Sequence, residues 1–388
     1  MRILVYTTQV RFPGGYENLA RSLAETLADR GIESYLLCHY PAEFRPEGEC
    51  CAPQTPPRGL PVHYLNVPTQ PSLWEVARAV LRLRQLVRSL KIDAIEVSGH
   101  GPSLLARLAT VGVGVRLAIG IHDVVERRPS MSWLHSGLSR FERKARRVNW
   151  FGVSRAATNS WCQVVGERSG RALTIHNSID RRFFLHQGDS REFVRRQIGA
   201  TRTDRVVLCA GRLMIRKGQD IVLEALAPLL REHRVHLVFA GRPDIEPGDD
   251  GARISTLMAE ARDSVELRQH VHFLGLRTDM AALMASADWL IHVPRKEAFG
   301  LVLVEALAIG LPIIASAVGG IPEVVAGTDT ILVPPEDPLA LRNAFLDCLG
   351  WSDERQAECI RKGRERAMDF HPDRRTDQIL ALLQGSRH

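Results

Sequence analysis

Short apolar runs separated by segments of helical length recur along the whole chain, and this alternation restricts the fold more than any other feature. Runs at 3–8, 33–37, 94–97, 116–121 and 149–153 are too short for helices and rich in Val, Ile and Leu, as strands buried on both faces are. Helices are expected between them at 17–30 and 73–90, from 103 onward, and at 155–165, the last capped by Ser154. A second series runs through 205–210, 235–240, 271–274, 289–293, 313–316 and 330–333. Strand and helix in steady succession give a parallel sheet covered by helices on both faces. Two series give two such sheets, and 388 residues suffice for two cores.

The interval between the series places the boundaries. Residues 1–180 form the first domain, 181–204 a polar linker with one short helix near 191–198, 205–368 the second domain, and 369–388 a terminal helix. Residues 41–71 are rich in Pro and Gly and read as connection around a short strand at 61–66. The chain passes from Met1-Arg2 straight into a strand-like run, with no signal segment and no apolar stretch able to span a bilayer, so a cytoplasmic protein is expected. Seven cysteines, including Cys50-Cys51, contain no Cys-x-x-Cys pair and imply no disulfide framework.

A net charge of +7 raises three partners: nucleic acid, an anionic membrane or an anionic substrate. Aromatics make up only 6% and the basic residues are dispersed, so no nucleic-acid surface is expected. Two helical segments are concentrated in arginine: 73–90, with Arg78, Arg82, Arg84 and Arg88, and 138–148, with Arg140, Arg143, Lys144, Arg146 and Arg147. Each reads either as a solvated basic face or as a peripheral contact with anionic lipid.

Parallel α/β sheets bind ligands beyond the carboxyl ends of their strands, so the residues there are the candidates. After the first strand comes Gly14-Gly15, a loop without β-carbons, and no G-x-G-x-x-G fingerprint accompanies it. His122-Asp123 ends the strand at 116–121, either opening a turn or presenting an imidazole to a hydroxyl. Gly211-Arg212 and Lys217-Gly218 follow the strand at 205–210, and two cations there would neutralise a diphosphate. Gly241 ends the strand at 235–240. After the run at 289–293, Glu297 lies just ahead of a helix at 300–309 that carries Glu305 a turn and a half inside it. The N–H groups at such a helix start suit phosphate or acceptor oxygens. Asp249-Asp250 lacks Asp-x-Asp spacing and reads as a surface loop, so no metal is required and no cofactor is implied.

Glu297-Ala298-Phe299-Gly300, Glu305-Ala306-Leu307 and Gly310-Leu-Pro-Ile-Ile-Ala, continued by Gly319-Gly320 and Pro322-Glu323, resemble the paired-Glu motif of the retaining family 4 glycosyltransferases. Gly211-Arg212-Leu-x-x-x-Lys217-Gly218 resembles a second signature of that family. His176-Asn177-Ser178-Ile179-Asp180 is similar to its Asn-Gly-Val-Asp turn, with Ser178 in place of Gly. The resemblance implies the α/β fold called GT-B, two Rossmann-like domains facing one another, with the terminal helix returning to the first. It implies a nucleotide-diphospho-sugar donor, UDP ahead of GDP, held mainly by the second domain. Arg212 and Lys217 would hold the diphosphate, Glu305 the ribose hydroxyls, and Glu297 with the amides of Ala298, Phe299 and Gly300 the sugar hydroxyls, with Leu301 also in the donor site. Gly14, Gly15, Gly241 and Arg277 would border the donor, and His122 the transferred sugar. Ala298 stands where many members have Gly or Pro, which narrows the sugar pocket. The acceptor would bind the first domain near Tyr16 and Asp123, where the loops at 12–16, 98–103 and 124–133 carry no decodable motif. A cell-envelope polysaccharide or glycolipid is the default expectation, with a natural product or small metabolite, or a catalytically inactive nucleotide-binding scaffold of the same fold, as the alternatives. Glu297 and Glu305 also invite a glycosidase reading, but nothing places a carboxylate opposite them.

Overall fold

A computed structural model describes residues 1–10, 14–44, 59–125, 148–165, 172–186, 191–243 and 249–385. The chain divides into two compact units, Met1–Asp180 with His371–His388, and Arg181–Phe370.

The first unit is built from β1 (Ile3–Thr7), α1 (Gly15–Asp29), β2 (Ser34–Cys38), β3 (Val62–Tyr64), α2 (Leu73–Ser89), β4 (Ala94–Ser98), α3 (His100–Thr110), β5 (Arg116–Ile121), β6 (Val148–Gly152), α4 (Arg155–Val165) and β7 (Leu173–Thr174). Its strands form one sheet in the order β3-β2-β1-β4-β5-β6-β7, parallel throughout. Every residue of β1 is buried, and alternate side chains feed two cores: Leu4 and Tyr6 join Leu83, Val97 and Leu105, whereas Ile3 and Val5 join Leu23, Leu27 and Phe151. Helix α2 starts where a capping box fixes it, Ser72 Oγ accepting from Glu75 N–H while the Glu75 side chain returns to Ser72. Helix α3 begins three residues ahead of the expected start, because Gly99 at φ 95° turns the chain into it.

The second unit opens with α5 (Arg182–Leu185) and α6 (Arg191–Gln197), then β8 (Arg205–Ala210), α7 (Gln219–Leu226), β9 (Val235–Ala240), α8 (Asp249–Asp263), β10 (Val271–Gly275), α9 (Met280–Ser286), β11 (Trp289–His292), α10 (Leu301–Ile309), β12 (Ile313–Ser316), α11 (Ile321–Val324), β13 (Ile331–Val333), α12 (Pro338–Leu349) and α13 (Asp353–Ala367). Its sheet is also parallel, in the order β10-β9-β8-β11-β12-β13. Residues 181–204, expected as a polar linker, are corrected to part of this unit. Arg195 on α6 is buried and its Nη2 lies 2.6 Å from Asp288 Oδ2, which also accepts from Val206 N–H at 2.8 Å. Asp249 and Asp250, expected on a surface loop, instead open α8, where acidic groups suit the helix start.

The last helix, α14 (Pro372–Gln384), belongs to the first unit. Ile379, Leu382 and Leu383 enter the same core as Ile3 and Leu23, and Arg30 on α1 is paired with Asp373 at 3.1 Å and with Asp377 at 2.5 Å. Beneath this packing Arg375 Nη2 meets Glu96 Oε1 of β4 at 3.3 Å, with the two side chains 3% and 1% exposed. Among the described residues no helix is long and apolar enough to cross a membrane. Most of the expected basic helix at 138–148, Cys50-Cys51, and parts of the loops at 12–16 and 124–133 lie outside the described residues.

Candidate functional site

In the second sheet the strand order reverses between β8 and β11, the position where open α/β sheets form their ligand crevice. The loops leaving these two strands carry Lys217 and Glu297. After β8 a 3-10 turn, Ile215–Lys217, runs into Gly218 at φ 74°, and a β-carbon there would stand 2.1 Å from the Val293 carbonyl oxygen. After β11, Gly300 at φ 86° precedes α10. A β-carbon on Gly319 would meet the Glu297 carbonyl oxygen at 1.8 Å, and the Gly320 N–H donates to the same oxygen at 3.1 Å. Gly241 plays the same part at the end of β9, where a β-carbon would fall 1.8 Å from Gly211 O. The glycines let the four loops after β8, β9, β11 and β12 approach backbone to backbone.

That approach brings Lys217 Nζ to 2.5 Å and His292 Nε2 to 3.3 Å from Glu297 Oε2, while the Ala298 N–H donates to Oε1 at 3.2 Å. Burial opposes ionisation of Glu297, yet the hydrogen bond with His292 and the charge of Lys217 outweigh it and hold the carboxyl well below the usual range. Burial lowers His292, against the pull of Glu297, so the ring is neutral near pH 7. Its Nε2 therefore donates, because an ionised carboxylate only accepts. Sequence reading missed His292: it occupies a strand position among apolar residues, and only its spacing of five from Glu297 hinted at a shared site.

The remaining residues of this unit expected at the site are arranged as follows. Arg212 is exposed on the Lys217 loop, and its carbonyl accepts from Gln219 Nε2 at 3.0 Å. Ala298, Phe299 and Gly300 are buried at the start of α10, Phe299 edge-on to Phe370 at 5.6 Å. Leu301 is the first residue of α10, and Glu305 is half-buried in its second turn. Arg277 makes a two-pronged bond with Asp279, 2.8 and 2.6 Å, which fixes its guanidinium beside β10.

In the first unit the candidates lie at the carboxyl ends of β1 and β5. Gly14 caps α1, with Gly15 and Tyr16 in its first turn. Thr8 Oγ1 donates to Glu17 of the same helix. His122 follows β5; its Nε2 is 2.9 Å from Ser98 Oγ, which in turn lies 3.4 Å from Glu96 Oε1. Burial, then the charge of Arg375, lowers His122 to about 3, so a neutral imidazole is present at physiological pH. Asp123 is exposed beside it. Among the described residues no group of His, Cys, Asp or Glu is arranged to hold a metal ion.

Residues 13–183 match the family model "Glycosyltransferase Family 4", and residues 204–350 match "Glycosyl transferases group 1". The lipopolysaccharide glucosyltransferase WaaG of Escherichia coli is 33% identical over 46% of this chain and 46% of its own length. A D-inositol 3-phosphate glycosyltransferase of Acidothermus cellulolyticus is 26% identical over 99% of this chain and 89% of its own. The chain spans about half the length of most curated relatives it matches. Among solved structures, Anabaena HepE in complex with UDP superposes with a TM-score of 0.80 at 23% identity, covering 99% of this chain and 100% of that one, which shows the GT-B fold. With residues 13–183 and 204–350 matched by these glycosyltransferase models, this chain belongs to the group 1, family 4 glycosyltransferases.

Proposed function

We propose that this protein is a retaining, metal-independent glycosyltransferase that moves a sugar from a nucleotide-diphospho-sugar, UDP ahead of GDP, to an acceptor hydroxyl. The observation that carries the reading is the meeting of Lys217, Glu297 and His292 at the switch point of the second sheet, beside the start of α10. Lys217 uses one of its three N–H groups on Glu297, and with Arg212 it can neutralise the charge that builds on a departing diphosphate. Glu297, held ionised, and the amides of Ala298, Phe299 and Gly300 offer acceptors and donors to the sugar hydroxyls, and Glu305 offers acceptors to the ribose. UDP is favoured because HepE, of the same fold, is solved with UDP and with UDP-glucose.

On the first unit, neutral His122 is suited to accept a hydrogen bond from a sugar hydroxyl or donate one to it, and Gly14 and Gly15 leave the loop after β1 without β-carbons. In the retaining course, the bond from the anomeric carbon to the phosphate oxygen breaks and the acceptor oxygen bonds on the same face. The leaving phosphate takes the acceptor's proton. An envelope polysaccharide or glycolipid acceptor is supported by the name of the Escherichia coli relative and by α2, which exposes Leu73, Trp74 and Leu81 among Arg78, Arg82 and Arg88. That face suits an anionic membrane surface.

Calorimetry with UDP, GDP and ADP, on wild type and on Glu305→Gln, tests the donor site. UDP is expected to bind, and the variant to lose about tenfold or more in affinity, as removal of a hydrogen bond to a charged group does. A folded wild-type protein that binds none of the three refutes the reading.

A further inference from the structure

Two residues before Glu297, Arg295 reaches back to the loop that carries Lys217. Its backbone N–H donates to Arg216 O at 2.9 Å, and its Nη1 donates to Ile215 O at 2.5 Å. Nη1 and Nη2 also donate to Asp220 Oδ1 and Oδ2, both at 2.9 Å. Lys217 is therefore bracketed: Ile215 and the first turn of α7 are fastened to the Arg295 side chain, and Arg216 to its backbone N–H. Nε lies 3.3 Å from Glu336 Oε1, and Arg253 is a second, longer-range cation at Asp220, 3.7 Å away. With both Nη1 hydrogens, one of Nη2 and Nε engaged, the guanidinium retains a single N–H for anything else.

We propose that Arg295 is a positioning residue that sets where Lys217 stands, and through it how the diphosphate is gripped. The proposal rests on the donor-site reading above. A planar fork is required: it satisfies a carboxylate by two prongs and a carbonyl at once, which the single ammonium of a lysine does not. Its commitment to protein acceptors separates Arg295 from a cation that itself binds phosphate.

The test is a double-mutant cycle read by calorimetry with UDP and UMP on wild type, Arg295→Met, Lys217→Met and the double variant, with thermal unfolding alongside. Arg295→Met is expected to weaken UDP about tenfold while leaving UMP unchanged, and to add nothing in the Lys217→Met background. Additive losses would overturn the proposal by making Arg295 an independent phosphate contact. Equal losses for UDP and UMP would overturn it by showing general disruption of the fold. If Arg295→Met is unfolded, Arg295→Lys, which keeps a charge for Asp220 without the fork, carries the same cycle with the same expected pattern. Wild type that binds UDP, with UDP affinity unmoved in a folded Arg295 variant, refutes the positioning role alone. Wild type that binds no nucleoside diphosphate refutes the donor site and this role together.

Discussion

Replacing Arg375 by Leu removes the only cation ion-paired with Glu96 among the described residues and leaves the carboxylate almost wholly buried. At 3.3 Å and an effective dielectric near 20, the attraction lost is about 5 kcal/mol. Breaking a buried pair from one side costs about 3–5 kcal/mol in practice, because the stranded charge keeps its desolvation penalty. The pair is itself imperfect: Glu96 Oε2 and Arg375 Nε make no hydrogen bond. Burial already raises the Glu96 pKa against the pull of Arg375, and removing the arginine raises it further. A carboxyl raised in the folded state is least harmful below its unfolded value and loses stability as pH rises through the folded one. The cost should therefore be about 3–5 kcal/mol at pH 7.5 and clearly smaller near pH 5, toward the protonated form of Glu96. Because a two-unit chain need not unfold in one step, amide hydrogen exchange on β4 and β5 is the assay that reports the first unit alone. Glu96→Gln combined with Arg375→Leu should recover most of the loss. The reasoning fails if the single variant costs under about 1 kcal/mol, if its cost is the same at both pH values, or if the double variant is no better.

Two further outcomes follow from the site. Glu297, depressed by His292 and Lys217, contributes stability that is present above the ordinary carboxylate range and lost only as pH falls through its low folded value. The stability difference between wild type and Glu297→Gln should thus be flat from pH 8 to about pH 5 and shrink only in stronger acid; a decline already near neutrality in urea titrations would contradict the cluster's electrostatics. Gly218→Ala places a β-carbon at φ 74° against the Val293 carbonyl, so it should cost the second unit at least about 1–2 kcal/mol and weaken nucleotide binding. An alanine variant as stable as wild type in denaturant would show that the loop is not held as described.

What could be read from the sequence was what local pattern governs. β5, β8 and α4 fall at the expected residues because uninterrupted apolar runs and the Ser154 cap leave little freedom, Ser154 Oγ accepting from Ala157 N–H at 3.1 Å. Contacts between distant residues left no such mark. Arg375 meets Glu96 across 279 positions, and each alone reads as a charged residue in an ordinary element. His292 resembles a core residue until the loop folds Glu297 back onto it. Residues 181–204 looked like a linker on polarity alone, because the buried bonds of Arg195 to Thr201 O, Asp204 O and Asp288 become visible only once α6 packs. Helix α3 began early for a related reason, since Gly99 allows a turn that propensity does not mark.

The return of α14 to the first unit has a consequence for synthesis. Strand β1 and helix α1 leave the ribosome before the second unit does, but the side of their core that receives Ile379, Leu382 and Leu383 stays uncovered until the whole of the second unit has been translated. Until then Glu96 waits inside the sheet without its cation. The second unit is continuous in sequence and can close on its own schedule, so the first unit is begun before the second and completed after it, and during that interval its open apolar face is exposed to aggregation.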